Sequence, residues 1–170
     1  MKSAIALTAG VVWLLAGGSA RALLPADTVL VDQRGTSFSL HDLRGRPVAV
    51  VFVATRCTDA CPVADAIFAR LVREHAGVQL LTISLDPRYD TPFVMSRYAR
   101  TLRADAPAWR VASGKPIDVN AVADAFGVQR ARADAHSTLV YCLDSQGRLA
   151  RALPLSTATA REIRAWLAGR

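Results

Sequence analysis

Val48-Ala49-Val50-Val51-Phe52-Val53-Ala54-Thr55-Arg56-Cys57-Thr58-Asp59-Ala60-Cys61-Pro62 is the stretch that decides how this chain folds. Its first seven residues are apolar at every position, as in a parallel strand covered on both faces. After Pro62, Val63, Ile67 and Leu71, with Phe68 and Val72 beside them, make one apolar stripe at helical spacing. A central strand therefore empties through a turn into a helix, and both sulfurs fall near the helix N-terminus. Free N–H groups and the macrodipole there favour thiolate over thiol. Thiolates bind soft metals or exchange disulfides, and the rest of the chain has to decide between the two.

Outward from this block, apolar runs alternate with helical patterns. Val29 to Val31 and Ser37 to Leu40 flank Asp32-Gln33-Arg34-Gly35, a turn signal that predicts an N-terminal hairpin. Val78 to Leu85 reads as a second buried strand, ending in the loop Asp86-Pro87-Arg88-Tyr89-Asp90-Thr91-Pro92 before a helix through Met95, Tyr98 and Leu102. Val119, Val122, Ala123 and Phe126 mark a third helix closed by Gly127. Thr138 to Leu143 and Leu149 to Leu153 straddle Asp144-Ser145-Gln146-Gly147 as a hairpin, and a last helix starts at a Thr159/Glu162 capping box. Strand, helix, strand, helix, hairpin and closing helix describe an α/β domain with helices on both faces of a sheet. A cysteine pair at the end of the first long strand fits a thioredoxin-like central sheet. Two details depart from an ordinary thioredoxin. Three residues separate the cysteines instead of two, and Ala133 to Thr138, where a cis-proline is expected, holds no proline.

Residues 1–22 begin with Lys2, run apolar from Ala4 to Ala16 and finish in Ser19-Ala20-Arg21-Ala22, with an Ala-x-Ala pattern before Leu23. They read as a secretory signal or, if retained, as a short membrane anchor, with one domain over 23–170. The expected location is periplasmic or otherwise extracytoplasmic, anchored to the inner membrane only if residues 1–22 stay uncleaved, with no other membrane contact. The net charge of +7 is carried almost wholly by arginines scattered singly, without runs or interleaved aromatics. That pattern excludes a nucleic-acid partner and fits a solvated surface. Three cysteines in an exported chain are too few for a disulfide scaffold. Two are close together and Cys142 is left over, alternating with Tyr141 and Leu143 on a strand as a buried apolar side chain would.

His136 stands immediately before the strand that begins at Thr138. In a thioredoxin-like sheet this strand starts beside the N-terminal end of the cysteine helix, so two thiolates and one imidazole converge. Soft sulfur ligands select Cu(I), and an added imidazole also suits Cu(II) and zinc. Zinc in a closed structural site takes a fourth ligand, and none is evident.

These residues resemble the Sco/SenC family of copper chaperones, thioredoxin-fold proteins with a Cys-x-x-x-Cys-Pro motif and a distal histidine. The similarity covers most of residues 23–170. It runs through Val31-Asp32-Gln33-Arg34-Gly35 with Phe38-Ser39-Leu40, and Asp42-Leu43-Arg44-Gly45-Arg46-Pro47. It continues in Cys57 to Pro62, Asp86-Pro87 with Asp90-Thr91-Pro92, and His136-Ser137 ahead of Tyr141 and Asp144-Ser145-Gln146-Gly147. The resemblance implies Cys57, Cys61 and His136 as copper ligands, with Asp59 organising the loop. It also implies delivery of copper, as Cu(I) and also Cu(II), to the binuclear copper centre of cytochrome c oxidase, or reduction of that centre's cysteines before loading. The implied partners are a copper-accepting oxidase subunit or another copper chaperone, and a thiol reductant. Thr58 stands where the family often has proline, Tyr89 where arginine is usual, and Asp134 lies two residues before His136 instead of adjacent to it. The segment from Val128 to Ala135 is also short. These departures leave the three ligands intact and bear on the docking surface and on the identity of the acceptor.

The competing reading is a thiol-disulfide oxidoreductase or peroxide reductase, with Cys57 as nucleophile and Cys61 as resolving thiol. A copper sensor or storage protein would share the metal site and differ only in partners. Arg56, next to Cys57, either favours its thiolate by charge or turns to solvent. Asp86 and Asp90 read as caps of a turn and a helix, His41 and His75 as solvent-facing or helix-end residues, and Trp109 and Trp166 as packing.

Overall fold

The computed structural model describes residue 25 and residues 27–74, 76–105, 108–128 and 138–169. Strands β1 (Leu30–Val31) and β2 (Ser37–Phe38) form the expected hairpin, and a 3-10 helix (Leu40–Leu43) leads to β3 (Val48–Val53), buried at every position. Helix α1 (Ala60–Arg73) follows, then β4 (Gln79–Ser84), α2 (Pro92–Leu102), β5 (Trp109–Gly114) and α3 (Pro116–Ala125). Antiparallel β6 (Leu139–Leu143) and β7 (Leu149–Pro154) and the closing α4 (Thr159–Ala168) complete the described chain.

The strands form one sheet in the order β2-β1-β5-β4-β3-β6-β7. At its centre β3, β4 and β5 are parallel, as strand–helix–strand crossovers require, and β1 and β6 join antiparallel on either side. Alternation along β3 builds two cores. Ala49, Val51 and Val53 pack with Ile67 and Phe68 of α1, Met95 of α2 and Ile163 of α4. Val48, Val50 and Phe52 face the other way, onto Val119, Val122 and Phe126 near α3 and Leu40 and Leu43 of the 3-10 helix. Helices thus cover both faces, as expected. Cys142 is fully buried in the first core, opposite Ala49 on β3, so its reading as a packing residue holds.

Two local expectations are corrected, and one strand is added. Helix α1 begins at Ala60, ahead of Pro62, because the first-turn N–H that proline lacks has no partner within the helix. Trp109 opens a strand that the sequence reading did not assign. Its indole Nε1 donates to Thr82 Oγ1 at 3.0 Å, and its ring meets Phe68 edge-on at 5.7 Å. Thr159 does not act as an N-cap. Its hydroxyl donates to the Pro154 carbonyl at 2.7 Å and accepts from the Ser156 N–H, and the helix is entered from Ala158.

The register places the site. Val50 pairs with Tyr141 in antiparallel sense, so β6 enters the sheet at the end where β3 leaves it for Cys57. At the far side, the hairpin is fastened to β5 by Gln33, whose Nε2 donates to the Trp109 carbonyl at 2.8 Å and whose Oε1 accepts from the Val111 N–H at 2.9 Å. Gly114 pairs with Leu30 there, and a Cβ on it would lie 2.9 Å from the Val29 carbonyl oxygen. Gly114→Ala should therefore force β1 away from β5 and lower stability by about 1–3 kcal/mol in urea melts. An unchanged melt would contradict this tight approach.

Candidate metal centre

Strand β3 ends at Val53, Ala54 stays buried, and the chain turns at Thr55 and Arg56 with the Cys57 N–H donating to the Ala54 carbonyl at 2.9 Å. This turn is pinned by Asp90, a fully buried carboxylate on the β4–α2 loop. Asp90 accepts from the Thr55 N–H at 3.0 Å, from the Thr55 hydroxyl, and from the Ser84 hydroxyl at 2.7 Å. Hydrogen bonds to a buried charge are each worth about 1.5–3 kcal/mol. The expectation that Asp90 caps α2 is thus corrected: the cap is Thr91, whose hydroxyl accepts from the Val94 N–H. Asp86 contributes its carbonyl to the turn, accepting from the Tyr89 and Asp90 N–H groups, and its carboxylate pairs with Arg56 at 2.6 Å. The Arg56 guanidinium also lies 4.2 Å from the centre of the Tyr89 ring. Its charge is spent on Asp86 and Tyr89, and that half-exposed pair adds little stability.

The two cysteines meet at the helix start. Cys61 is the second residue of α1 and 2 % exposed, and Cys57 is half-buried beside it in hydrogen-bond contact. Burial works against ionising Cys57, but it is outweighed by the Cys61 thiol and the backbone N–H groups of Asp59, Cys61 and Ala60, which lower its pKa below the ordinary thiol value. Burial pushes the Cys61 thiol up to about 12, and the Cys57 neighbour adds to the rise. The pair is therefore split: Cys57 is the readier anion and Cys61 the sheltered proton holder. Asp59 acts on Cys57 through its backbone, since its side chain makes no cap hydrogen bond at the helix start.

Behind the sulfurs lies a pair the sequence reading missed. Asp65 sits one turn after Cys61 on α1, and its Oδ2 accepts a hydrogen bond from the Tyr98 phenol on α2. Asp65 Oδ1 is buried without a partner among the described residues. Burial raises the Asp65 carboxyl to about 6 against the pull of the Tyr98 hydrogen bond, and burial together with Asp65 holds the phenol well above its usual range. The only hint in the sequence is the i, i+4 spacing of Cys61 and Asp65.

Among the described residues no group of three or more His, Cys, Asp or Glu side chains could hold a metal. The expected third ligand, His136, lies outside the described residues, as do Asp134 and His75. The described residues supply a donor pair suited to soft metals, two sulfurs at a helix N-terminus with Cys57 the more readily ionised. Among the described residues no helix is long and apolar enough to cross a membrane, and residues 1–22 lie outside them.

The family model described as SCO1/SenC matches residues 18–168 of this chain. A SCO2-like protein of Rickettsia felis is 27% identical over 157 residues, covering 84% of this chain and 75% of its own length. Among solved structures, Bradyrhizobium japonicum ScoI with copper bound is 27% identical, with a TM-score of 0.66 over 84% of this chain and 96% of its own. BsSco, a member of the Sco family of cytochrome c oxidase assembly proteins in which a disulfide switch was identified, is 17% identical, with a TM-score of 0.68 over 83% of this chain and 89% of its own.

Asp65 generates a pH prediction. Its folded value of about 6 lies above the ordinary 3.8, so the folded state holds this proton more tightly than the unfolded chain. The contribution favours folding below the ordinary value and is lost as pH rises through about 6. Asp65→Asn keeps an acceptor for the phenol and does not ionise. It should exceed wild type by on the order of 3 kcal/mol in urea melts at pH 7.5 and lose that advantage at pH 3.5. The same stability gap at both pH values would contradict a buried, proton-holding Asp65.

Proposed function

The chain belongs to the SCO1/SenC family, and from that premise we propose that it is an exported copper chaperone. It holds one copper through Cys57, Cys61 and His136 and passes it to the binuclear copper centre of cytochrome c oxidase. Residues 1–22 direct export or anchor the chain, residues 23–170 form the copper-binding domain, and the working compartment is the periplasm or its equivalent. The observation that carries this reading is the placement of two thiols in mutual contact at the start of α1, with Cys57 the more readily ionised of the two. Soft sulfur donors in that setting suit Cu(I), and an imidazole alongside extends the set to Cu(II). His136 precedes β6 by three residues, and β6 enters the sheet at the end from which β3 leads to Cys57, which supports the histidine as the third donor. The relative of known structure that carries copper, ScoI, supports the choice of metal.

Copper is cargo here. A site of three donors leaves room for an incoming ligand, so transfer can begin by exchange at an open position. The protein's own residues set the conditions. The first-turn N–H groups stabilise the Cys57 thiolate, Asp90 fixes the turn that aims it, and burial keeps Cys61 from solvent until the metal displaces its proton. Oxidation of the pair to a disulfide removes both thiolates, so redox state controls loading. A thiol reductant is the partner this requires.

A second reading, thiol-disulfide exchange as the purpose of the protein, is favoured by the same split acidity, with Cys57 as nucleophile and Cys61 as resolving thiol. Copper titration of the reduced protein separates the two. The chaperone reading predicts about one copper per chain, with His136→Ala and Cys57→Ser each weakening it by about 100-fold or more. Unchanged affinity in His136→Ala, together with disulfide reductase turnover abolished by Cys57→Ser, would overturn it in favour of the oxidoreductase.

A further inference from the structure

Beside the cysteine turn runs a groove of about 610 Å3 whose walls are Arg56 and Tyr89 on one side and α2 on the other. Helix α2 contributes Arg97 and Arg100, one turn apart, together with Val94 and Tyr98. Among the described residues, no Asp or Glu lines it. Arg97 is exposed and has no charged or hydrogen-bonding partner among the described residues, and Arg100 is engaged only through Nη1, which donates to the neutral Ser96 hydroxyl at 3.1 Å. Arg56 is paired with Asp86, but both side chains reach solvent, so that pairing can be exchanged.

A concave surface carrying one sign of charge concentrates its field and draws the opposite sign. Guanidinium forks match carboxylates two bonds at a time, and arginines with exposed aromatics are the residues that interface cores favour. Tyr89 is 49% exposed at the groove and Phe93, at the start of α2, is 70% exposed. Arg56 adjoins Cys57 in the chain, so whatever occupies the groove stands next to the more reactive sulfur. A flat lipid surface does not enter such a groove, whereas an extended chain segment does.

We propose that this groove receives a carboxylate-rich segment of the protein that accepts the metal. Arg97 and Arg100 grip its carboxylates, and Arg56 trades Asp86 for one of them. The inference rests on the metal-transfer reading for the identity of the partner, but docking itself needs no metal and is tested without it.

The probe is a short fluorescein-labelled peptide of Asp, Glu, Gly and Ser, followed by anisotropy on the reduced full chain. A matched Asn/Gln peptide and phosphatidylcholine vesicles containing phosphatidylglycerol are the comparisons. The acidic peptide should bind more weakly as salt rises and should slow iodoacetamide alkylation of Cys57. Arg97→Glu with Arg100→Glu should lose about tenfold or more in affinity, while Arg97→Lys with Arg100→Lys stays within about threefold. Arg151→Glu with Arg161→Glu, exposed positions on β7 and α4, should leave binding as in wild type. Should the Glu pair fail to fold by near-ultraviolet circular dichroism, Arg97→Gln with Arg100→Gln carries the same test. Equal loss in the β7/α4 pair, equal binding of the Asn/Gln peptide, or α2 variants that lose only vesicle binding would each overturn the proposal. Copper affinity is measured on the same proteins. Wild type that binds the peptide but not copper sinks the metal-transfer reading alone, and wild type that binds copper but not the peptide sinks the groove alone.

Discussion

Everything at the working end of this protein hangs on the buried Asp90 carboxylate. It reaches across from the β4–α2 loop to accept from the Thr55 backbone and hydroxyl, and it gathers the Ser84 hydroxyl at the end of β4. The Ser84 oxygen in turn accepts from the Asp86 N–H at 3.0 Å, which positions the carboxylate that holds Arg56. A buried charge with all its donors present is stable, and the same charge with a donor missing is costly. The two loops are therefore fixed to each other as one unit, and the cysteine turn inherits its geometry from a residue that never touches sulfur.

On that fixed turn the helix start divides the labour between two chemically identical side chains. Cys57 faces the first N–H groups of α1 and ionises readily, while Cys61, one step into the helix and buried against Ala64 and the β3 core, resists ionisation. Pro62 continues the helix without wasting a donor, because the N–H it lacks would have had no partner. The Asp65–Tyr98 pair closes the space behind and ties α1 to α2. In the proposed chaperone role, metal binding and disulfide formation draw on the same two sulfurs, which would couple redox state to loading in a single site.

The frame of this fold was legible because it is written in short-range patterns. The all-apolar β3, the stripe of α1, the turn of the N-terminal hairpin and Gly127 after α3, at φ 68°, each announce themselves within a few residues. Strand β5 did not, because Arg110, Ser113 and Gly114 break its apolar run, and its place is set by neighbours far along the chain such as Gln33 and Leu80. The same limit governs the site. Cys57 and Cys61 stand out by spacing alone, but the role of Asp90 depends on Thr55, 35 positions away, and that of Asp65 on Tyr98, 33 away. A carboxylate near a proline turn looks like a cap until its distant partners are seen. The Tyr89 that departs from the family pattern likewise becomes intelligible as the aromatic face under Arg56.

The proposed site holds a single copper between two sulfurs and one imidazole at the start of α1. X-ray absorption at the copper edge of the loaded protein tests it most directly. Two sulfur donors and one nitrogen donor per copper are expected in wild type, with the nitrogen scattering lost in His136→Ala and one sulfur lost in Cys57→Ser. A shell of sulfur alone, or a nitrogen contribution that survives removal of His136, would contradict it.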